Sequence, residues 1–234
     1  TVRYVSALQS AGIETLVLKG VALSMQTTGT LNSRDTRDVD LLVSPDDMPR
    51  AHESLLATGA RYRHRMYPGD SAEWRFARWA NRELTYYTDP GELDLHWRVA
   101  NELGWFPDAK TLLARAEVVS VGSASLPTLS QSDALIAGCL FAHIDRYNSM
   151  RYLVDIHRLL AHGAQVPPDS SNGLRRLTAD TIGFASELIP GWPAQTLPAE
   201  PNTRYAWQQW ERVDVPMGTP KSYAALFSSA RRYS

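Results

Sequence analysis

The sequence predicts an α+β fold whose strands fall mainly in the first half of the chain and whose second half is helical. Three observations carry this. Short runs rich in β-branched and other apolar residues recur at 13–18, 38–43 and 82–97, with stretches of helical spacing among them. Asp89-Pro90-Gly91 supplies turn residues in the middle of the last run, which makes it a hairpin. From about residue 106 the spacing turns helical, interrupted by one β-like segment at 118–127. The expected division is 1–127 as one domain and 128–234 as a helical second domain. With 234 residues, 44% of them hydrophobic, the chain is long enough to bury a substantial core.

Residues 1–11 read as a helix with Val2, Val5, Leu8 and Gln9 along one edge, stopped at Gly12. Ile13–Leu18 is a strand, and Lys19-Gly20 leads directly into a helix that begins at Val21. Such a junction presents backbone N–H groups at a helix start, which suits an anion. Gly20 lets a phosphate approach the backbone and Lys19 adds charge, although Lys19 reads equally well as a solvated strand end. A polar loop at 26–33 leads through Arg34 and Arg37 into the strand Asp38–Val43. Ser44 as N-cap and Pro45 at the first helical position start a helix that runs to about Thr58 and stops at Gly59. Arg61–Tyr67 alternates basic and aromatic residues and reads as an edge strand guarded by charge, with a phosphate- or nucleic-acid-holding face as the alternative. Residues 68–80 are a loop or short helix. Further helices are expected near 107–117, from Ser130 to His143 or Asp145, at 149–162, 172–187, Tyr205–Arg212 and Ser222–Arg231, with a Pro-rich linker at 190–201.

The chemistry gathers around Asp38-Val39-Asp40-Leu41-Leu42-Val43. Side chains alternate along a strand, so Asp38 and Asp40 share one face while Val39 and Leu41 take the other. Two carboxylates at that spacing repel unless a positive group lies between them. A divalent metal is the usual partner, with phosphate oxygens completing its shell; a surface strand with solvated aspartates is the plainer reading. Glu92, Asp94 and His96 share a face of the second hairpin strand. If that strand neighbours the first, Asp38, Asp40 and Asp94 converge on one point and can hold two ions.

Composition excludes several classes. The net charge is −1, so no global basic field draws the chain to nucleic acid or to a membrane surface. Cys139 is the only cysteine, which rules out an internal disulfide and a cysteine-based zinc site. No run is apolar enough to span a bilayer and no signal-peptide pattern opens the chain; the start at Thr1 leaves room for native residues ahead of it. A cytoplasmic location is expected.

Leu18-Lys19-Gly20-Val21-Ala22-Leu23, then Arg34 ahead of Asp38-Val39-Asp40-Leu41-Leu42-Val43, then Asp94-Leu95-His96-Trp97 resemble the uncharacterised nucleotidyltransferase family of bacteria. That family belongs to the polymerase-β-like nucleotidyltransferase superfamily. The resemblance covers about residues 8–160, more weakly through His143 and Val154-Asp155-Ile156. It implies the minimal nucleotidyltransferase fold, a small mixed sheet flanked by helices with a helical C-terminal region. Residue by residue, it implies that Gly20 stands at the nucleotide-binding turn, Asp38 and Asp40 at the paired metal-binding acids, and Asp94 at the third acid. Much of the superfamily has two glycines followed by Ser where this chain has Lys19-Gly20-Val21, so Lys19, Arg34 and Arg37 are expected to supply charge to a triphosphate. The implied reaction is transfer of a nucleoside monophosphate from an NTP, ATP foremost, with two Mg²⁺ ions or Mn²⁺ in their place. The acceptor is a hydroxyl on a small molecule, with a protein side chain or an RNA end as alternatives. His96, His143 and Asp155 are candidates for the acceptor site, with structural roles as the alternative for each. The rival from another class is a non-catalytic nucleotide- or partner-binding module on the same fold. A metal-dependent phosphohydrolase fits less well, because its usual His-rich ligand sets are absent.

Overall fold

A computed structural model describes residues 1–33, 38–63, 67–101, 105–193 and 197–210, divided between two compact units, Thr1–Ser130 and Gln131–Ser234. Arg34, Arg37, the middle of the Arg61–Tyr67 stretch and the helix expected at Ser222–Arg231 lie outside the described residues. The class is α+β, as the sequence predicts.

The first unit carries β1 (Thr15–Val17), β2 (Asp38–Val43), β3 (Glu83–Tyr87), β4 (Glu92–His96), β5 (Glu117–Val121) and β6 (Ala124–Thr128). They form one mixed six-stranded sheet in the order β3-β4-β2-β1-β6-β5. β2 runs parallel to β4 with Asp38 opposite Glu92, Asp40 opposite Asp94 and Leu42 opposite His96. β3 runs antiparallel to β4 with Glu83 opposite His96 and Thr85 opposite Asp94. Alternation then sorts the side chains. Val17, Leu41, Val43, Leu84, Tyr86, Leu93 and Leu95 belong to the core, together with Val5 and Leu8 of α1 (Val2–Ser10), Met48, Ala51 and Leu55 of α3 (Met48–Ala57), and Trp74 and Ala77 of α4 (Ala72–Ala80). Each such apolar side chain contributes roughly 1.5–3 kcal/mol when fully buried. The other face of β2, β4 and β3 carries Asp38, Asp40, Asp94, His96, Glu83 and Thr85 beside Leu42. The unit is completed by α2 (Val21–Thr28) and α5 (Ala109–Ala114).

Several boundaries differ from expectation for local reasons. In α1 the buried side chains are Tyr4, Val5 and Leu8, while Gln9 faces solvent. The first strand keeps only Thr15–Val17. Gln26, Thr27 and Thr28 are helical rather than loop: the Thr27 and Thr28 hydroxyls donate to the carbonyls of Leu23 (2.7 Å) and Ser24 (2.8 Å), and α2 ends at Gly29 in the left-handed conformation. The helix expected from Ser44 begins at Met48, with Pro49 in its first turn; Ser44–Asp47 is a turn closed by Asp47 N–H on the Ser44 carbonyl (3.0 Å). Arg61 makes a single bridge to Tyr87 instead of opening a long strand, and Tyr62 packs against the core. The β-like segment at 118–127 is a complete hairpin, β5–β6, turning at Gly122.

The second unit comprises α6 (Gln131–Ile144), α7 (Met150–Ala161), α8 (Asn172–Leu188) and α9 (Arg204–Trp210) among the described residues. α6 is buried on nearly all sides, and α7 and α8 both pack on it. Among the described residues no helix is long and apolar enough to cross a membrane.

Candidate active site

Strand register builds the site. Asp38 and Asp40 share a face of β2, and the parallel neighbour β4 sets Asp94 directly beside Asp40. Asp40 is sunk in the sheet with its side chain 4% exposed, whereas the Asp38 side chain, at the strand's edge, is 37% exposed. Lys19 follows β1, and its Nζ lies 3.3 Å from Asp38 Oδ2 and 3.1 Å from Asp40 Oδ1, so one ammonium spans both carboxylates. Gly20 caps the start of α2 with φ of 70°, a conformation that favours glycine and opens the turn.

The hairpin completes the arrangement. Thr85 Oγ1 donates to Asp94 Oδ1 at 2.6 Å. His96, with its side chain 3% exposed, places Nε2 3.2 Å from Asp40 Oδ1 and Nδ1 3.0 Å from Glu83 Oε2. Glu83 also receives Arg82 Nε at 2.9 Å.

The two deeper acids are driven in opposite directions. Burial works to raise the Asp40 pKa, but the His96 hydrogen bond and the Lys19 and His96 charges outweigh it and hold the carboxyl below its ordinary value. Burial raises Asp94, helped by repulsion from Glu83 and Asp40 and opposed by the Thr85 hydrogen bond. One carboxylate is therefore firmly ionised while its neighbour holds a proton more readily.

The donor set suits a metal ion. Asp40 Oδ2 is buried with no hydrogen-bond partner among the described residues, although its sister oxygen is met by both Lys19 Nζ and His96 Nε2. Ligand atoms of Asp40, Asp94 and His96 lie within 4.8 Å of one another. Carboxylate oxygens of this kind bind Mg²⁺ or Mn²⁺.

Of the residues predicted from sequence, Lys19, Gly20, Asp38, Asp40, Asp94 and His96 belong to the first unit; Arg34 and Arg37 lie outside the described residues. His143 and Asp155 are buried in the second unit, where His143 packs against the rings of Tyr147 and Tyr205. Glu83 and Thr85 went unread in the sequence. The signal was present: a tight turn at Asp89-Pro90-Gly91, closed by Thr88 N–H on the Gly91 carbonyl, fixes which β3 residues stand opposite Asp94 and His96.

The fold of the chain is similar to that of solved structures of low sequence identity. The antibiotic-resistance factor ANT(2'')-Ia aligns over 69% of this chain and 81% of its own at 10% identity, with a TM-score of 0.50. In complex with adenylyl-2''-tobramycin, ANT(2'')-Ia aligns over 77% of this chain and 93% of its own at 11% identity, with a TM-score of 0.51. The lincomycin-bound lincosamide antibiotic adenylyltransferase LnuA aligns over 68% and 93% at 13% identity, with a TM-score of 0.45. No curated protein sequence matches the chain. Residues 1–180 match the family described as uncharacterised nucleotidyltransferase, and the chain belongs to that family.

Proposed function

We propose that the protein transfers a nucleoside monophosphate, AMP from ATP foremost, to a hydroxyl of a small-molecule acceptor in the cytoplasm. The observation that carries this is the register that sets Asp40 of β2 beside Asp94 of β4, with Asp38 two residues away on the same face, in a chain of a nucleotidyltransferase family. The adenylyl-2''-tobramycin bound to a protein of the same fold supports AMP and a small hydroxylic acceptor.

Asp38, Asp40 and Asp94 would hold the divalent ions, Mg²⁺ or Mn²⁺. Bound there, metal supplies charge neutralisation for the triphosphate and activation of the acceptor hydroxyl. Asp40, kept ionised by Lys19 and His96, is the fixed negative anchor of the site. Asp94, whose proton affinity is raised, takes the proton of the acceptor hydroxyl as its oxygen bonds to the α-phosphorus. The bond from that phosphorus to the bridging oxygen breaks, and pyrophosphate leaves. Lys19 and the Gly20 turn lie beside the carboxylates, where they meet phosphate oxygens; Arg34 and Arg37 add charge from the segment before β2.

Thermal unfolding with each NTP, with and without Mg²⁺, tests the binding half. Ligand at about a hundred times its dissociation constant stabilises by roughly 2.7 kcal/mol, a shift on the order of 5–10 °C for a chain of this size. The shift should require metal and vanish in Asp38→Asn/Asp40→Asn. Pyrophosphate release across a panel of hydroxylic acceptors tests transfer. A metal-dependent shift without pyrophosphate from any acceptor would move the assignment to a nucleotide-binding module, and full activity in the double variant would end it.

A further inference from the structure

We infer that buried His96 and half-buried Glu83 form a support that fixes the orientation of the Asp40 carboxylate and thereby sets the metal affinity of the site. The inference rests on the metal reading of Asp40 above and adds two positioning residues to it. His96 stands one residue pair deeper in the sheet than Asp94, opposite Leu42, so it approaches Asp40 from behind. An ionised carboxylate can only accept, so His96 Nε2 carries the hydrogen and donates it to Asp40 Oδ1. The far side of the ring faces Glu83, its cross-strand partner, with Nδ1 3.0 Å from Oε2. That contact is close without meeting hydrogen-bond geometry. Glu83 is itself held by Arg82 at 2.9 Å. A chain of contacts thus runs from Arg82 through Glu83 and His96 to Asp40, across strands β3, β4 and β2.

The consequence lies in which oxygen is left over. Asp40 Oδ1 is engaged by His96 and Lys19, while Oδ2 is buried and has no partner among the described residues. A carboxylate tied at one oxygen from behind cannot swing, so the other oxygen stays in one place at no further entropic cost when an ion arrives. Groups that orient a metal-binding side chain in this way are commonly worth 10–100-fold in metal affinity. Neither Glu83 nor His96 needs to touch the substrate to act.

Mn²⁺ affinity of the nucleotide-free protein, read from the free-ion paramagnetic resonance signal, tests this without turnover. His96→Leu, which fills the space without a donor, should weaken Mn²⁺ binding roughly 10–100-fold. Glu83→Ala should weaken it about tenfold. His96→Gln, whose amide restores a donor near the place of Nε2, should recover most of the loss, which a purely packing role would not produce. Equal Mn²⁺ affinity in wild type and His96→Leu, with circular dichroism unchanged, overturns the inference. Nitrogen coupling to bound Mn²⁺ that disappears in His96→Leu also overturns it, because His96 is then a ligand. If the wild type takes up no Mn²⁺ at all, the metal reading fails, and the support is decided on the ion-free protein by magnetic resonance. There a slowly exchanging His96 Nε2–H, lost in Asp40→Ala, upholds the contact, and its absence from the wild type overturns it.

Discussion

At the scale of single residues the first unit contains a second buried histidine whose role contrasts with that of His96. His52 of α3, 4% exposed, has Nδ1 2.7 Å from the Tyr86 hydroxyl and sits among the rings of Tyr62, Tyr67 and Tyr86. Burial lowers its pKa, and the neighbouring charge of Glu53 offsets this only in part. The folded protein therefore resists a proton that the unfolded chain accepts. Above the ordinary histidine value of about 6.5 both states are neutral and His52 contributes nothing to pH dependence. As the pH falls through that value, the unfolded state gains a proton and stability declines until the lower folded pKa is passed. For one proton the slope is at most about 1.4 kcal/mol per pH unit. Urea unfolding of wild type and His52→Gln between pH 7.5 and about pH 5 should give a steeper acid loss in the wild type. Parallel curves would show that His52 is not held neutral. The site itself was partly legible at this scale: two aspartates at a strand's spacing must share a face, so Asp38 and Asp40 could be read directly. Lys19 could not be placed in the same way. It lies two residues past the end of β1, in the bend before α2, where strand alternation no longer fixes the direction of a side chain.

At the scale of elements, α8 shows how a glycine in a helix can be a packing device. Residues 201–207 are fastened along α8: Asn202 N–H donates to Asp180 Oδ1 at 2.6 Å, Thr203 Oγ1 to Glu187 Oε1 at 3.0 Å, and Trp207 Nε1 to Glu187 Oε2 at 2.6 Å. Gly183 lies between those anchors, and a Cβ added there would meet Pro201 Cβ at 2.7 Å and Thr203 Cγ2 at 3.2 Å. Helix propensity alone favours alanine by about 1 kcal/mol. Overpacking against a segment pinned at both ends costs about 1–3 kcal/mol and should win. Gly183→Ala is therefore expected to lower the melting temperature by several degrees. Gly69→Ala, where an added Cβ meets nothing within 4 Å, should leave it unchanged or slightly higher. A Gly183→Ala protein as stable as wild type would mean that the 201–207 segment yields freely. Elements were legible from sequence where periodicity and turn chemistry agreed, as in β2 and the β3–β4 hairpin. They were misplaced where two prolines competed, as at Pro45 and Pro49. There the first proline suits a helix start equally well, and only the closed turn at Ser44–Asp47 decides for the second.

At the scale of the whole molecule, the first unit has the makings of a self-sufficient domain. Its core draws on α1, β1 to β4, α3, α4 and Leu126 of β6, so both ends of the unit contribute to one cluster. The sheet lies wholly within the unit, since all six strands among the described residues are in it. About 130 residues is within the ordinary size range of an independent domain, where burial exceeds 60% of the unfolded surface. A fragment of residues 1–130 should accordingly unfold in one cooperative urea transition, with a slope of roughly 1–3 kcal/mol per molar. Trp74 and Trp97, stacked edge to face at 5.3 Å, should keep its near-ultraviolet dichroism. Glu83, Asp38, Asp40, Asp94 and His96 all belong to this unit, so the fragment should bind Mn²⁺ with an affinity close to that of the full chain. Cooperative unfolding without Mn²⁺ binding would mean that the carboxylates need the second unit to hold their geometry. Loss of the cooperative transition itself would refute the fragment's independence, and the domain boundary would have to be redrawn.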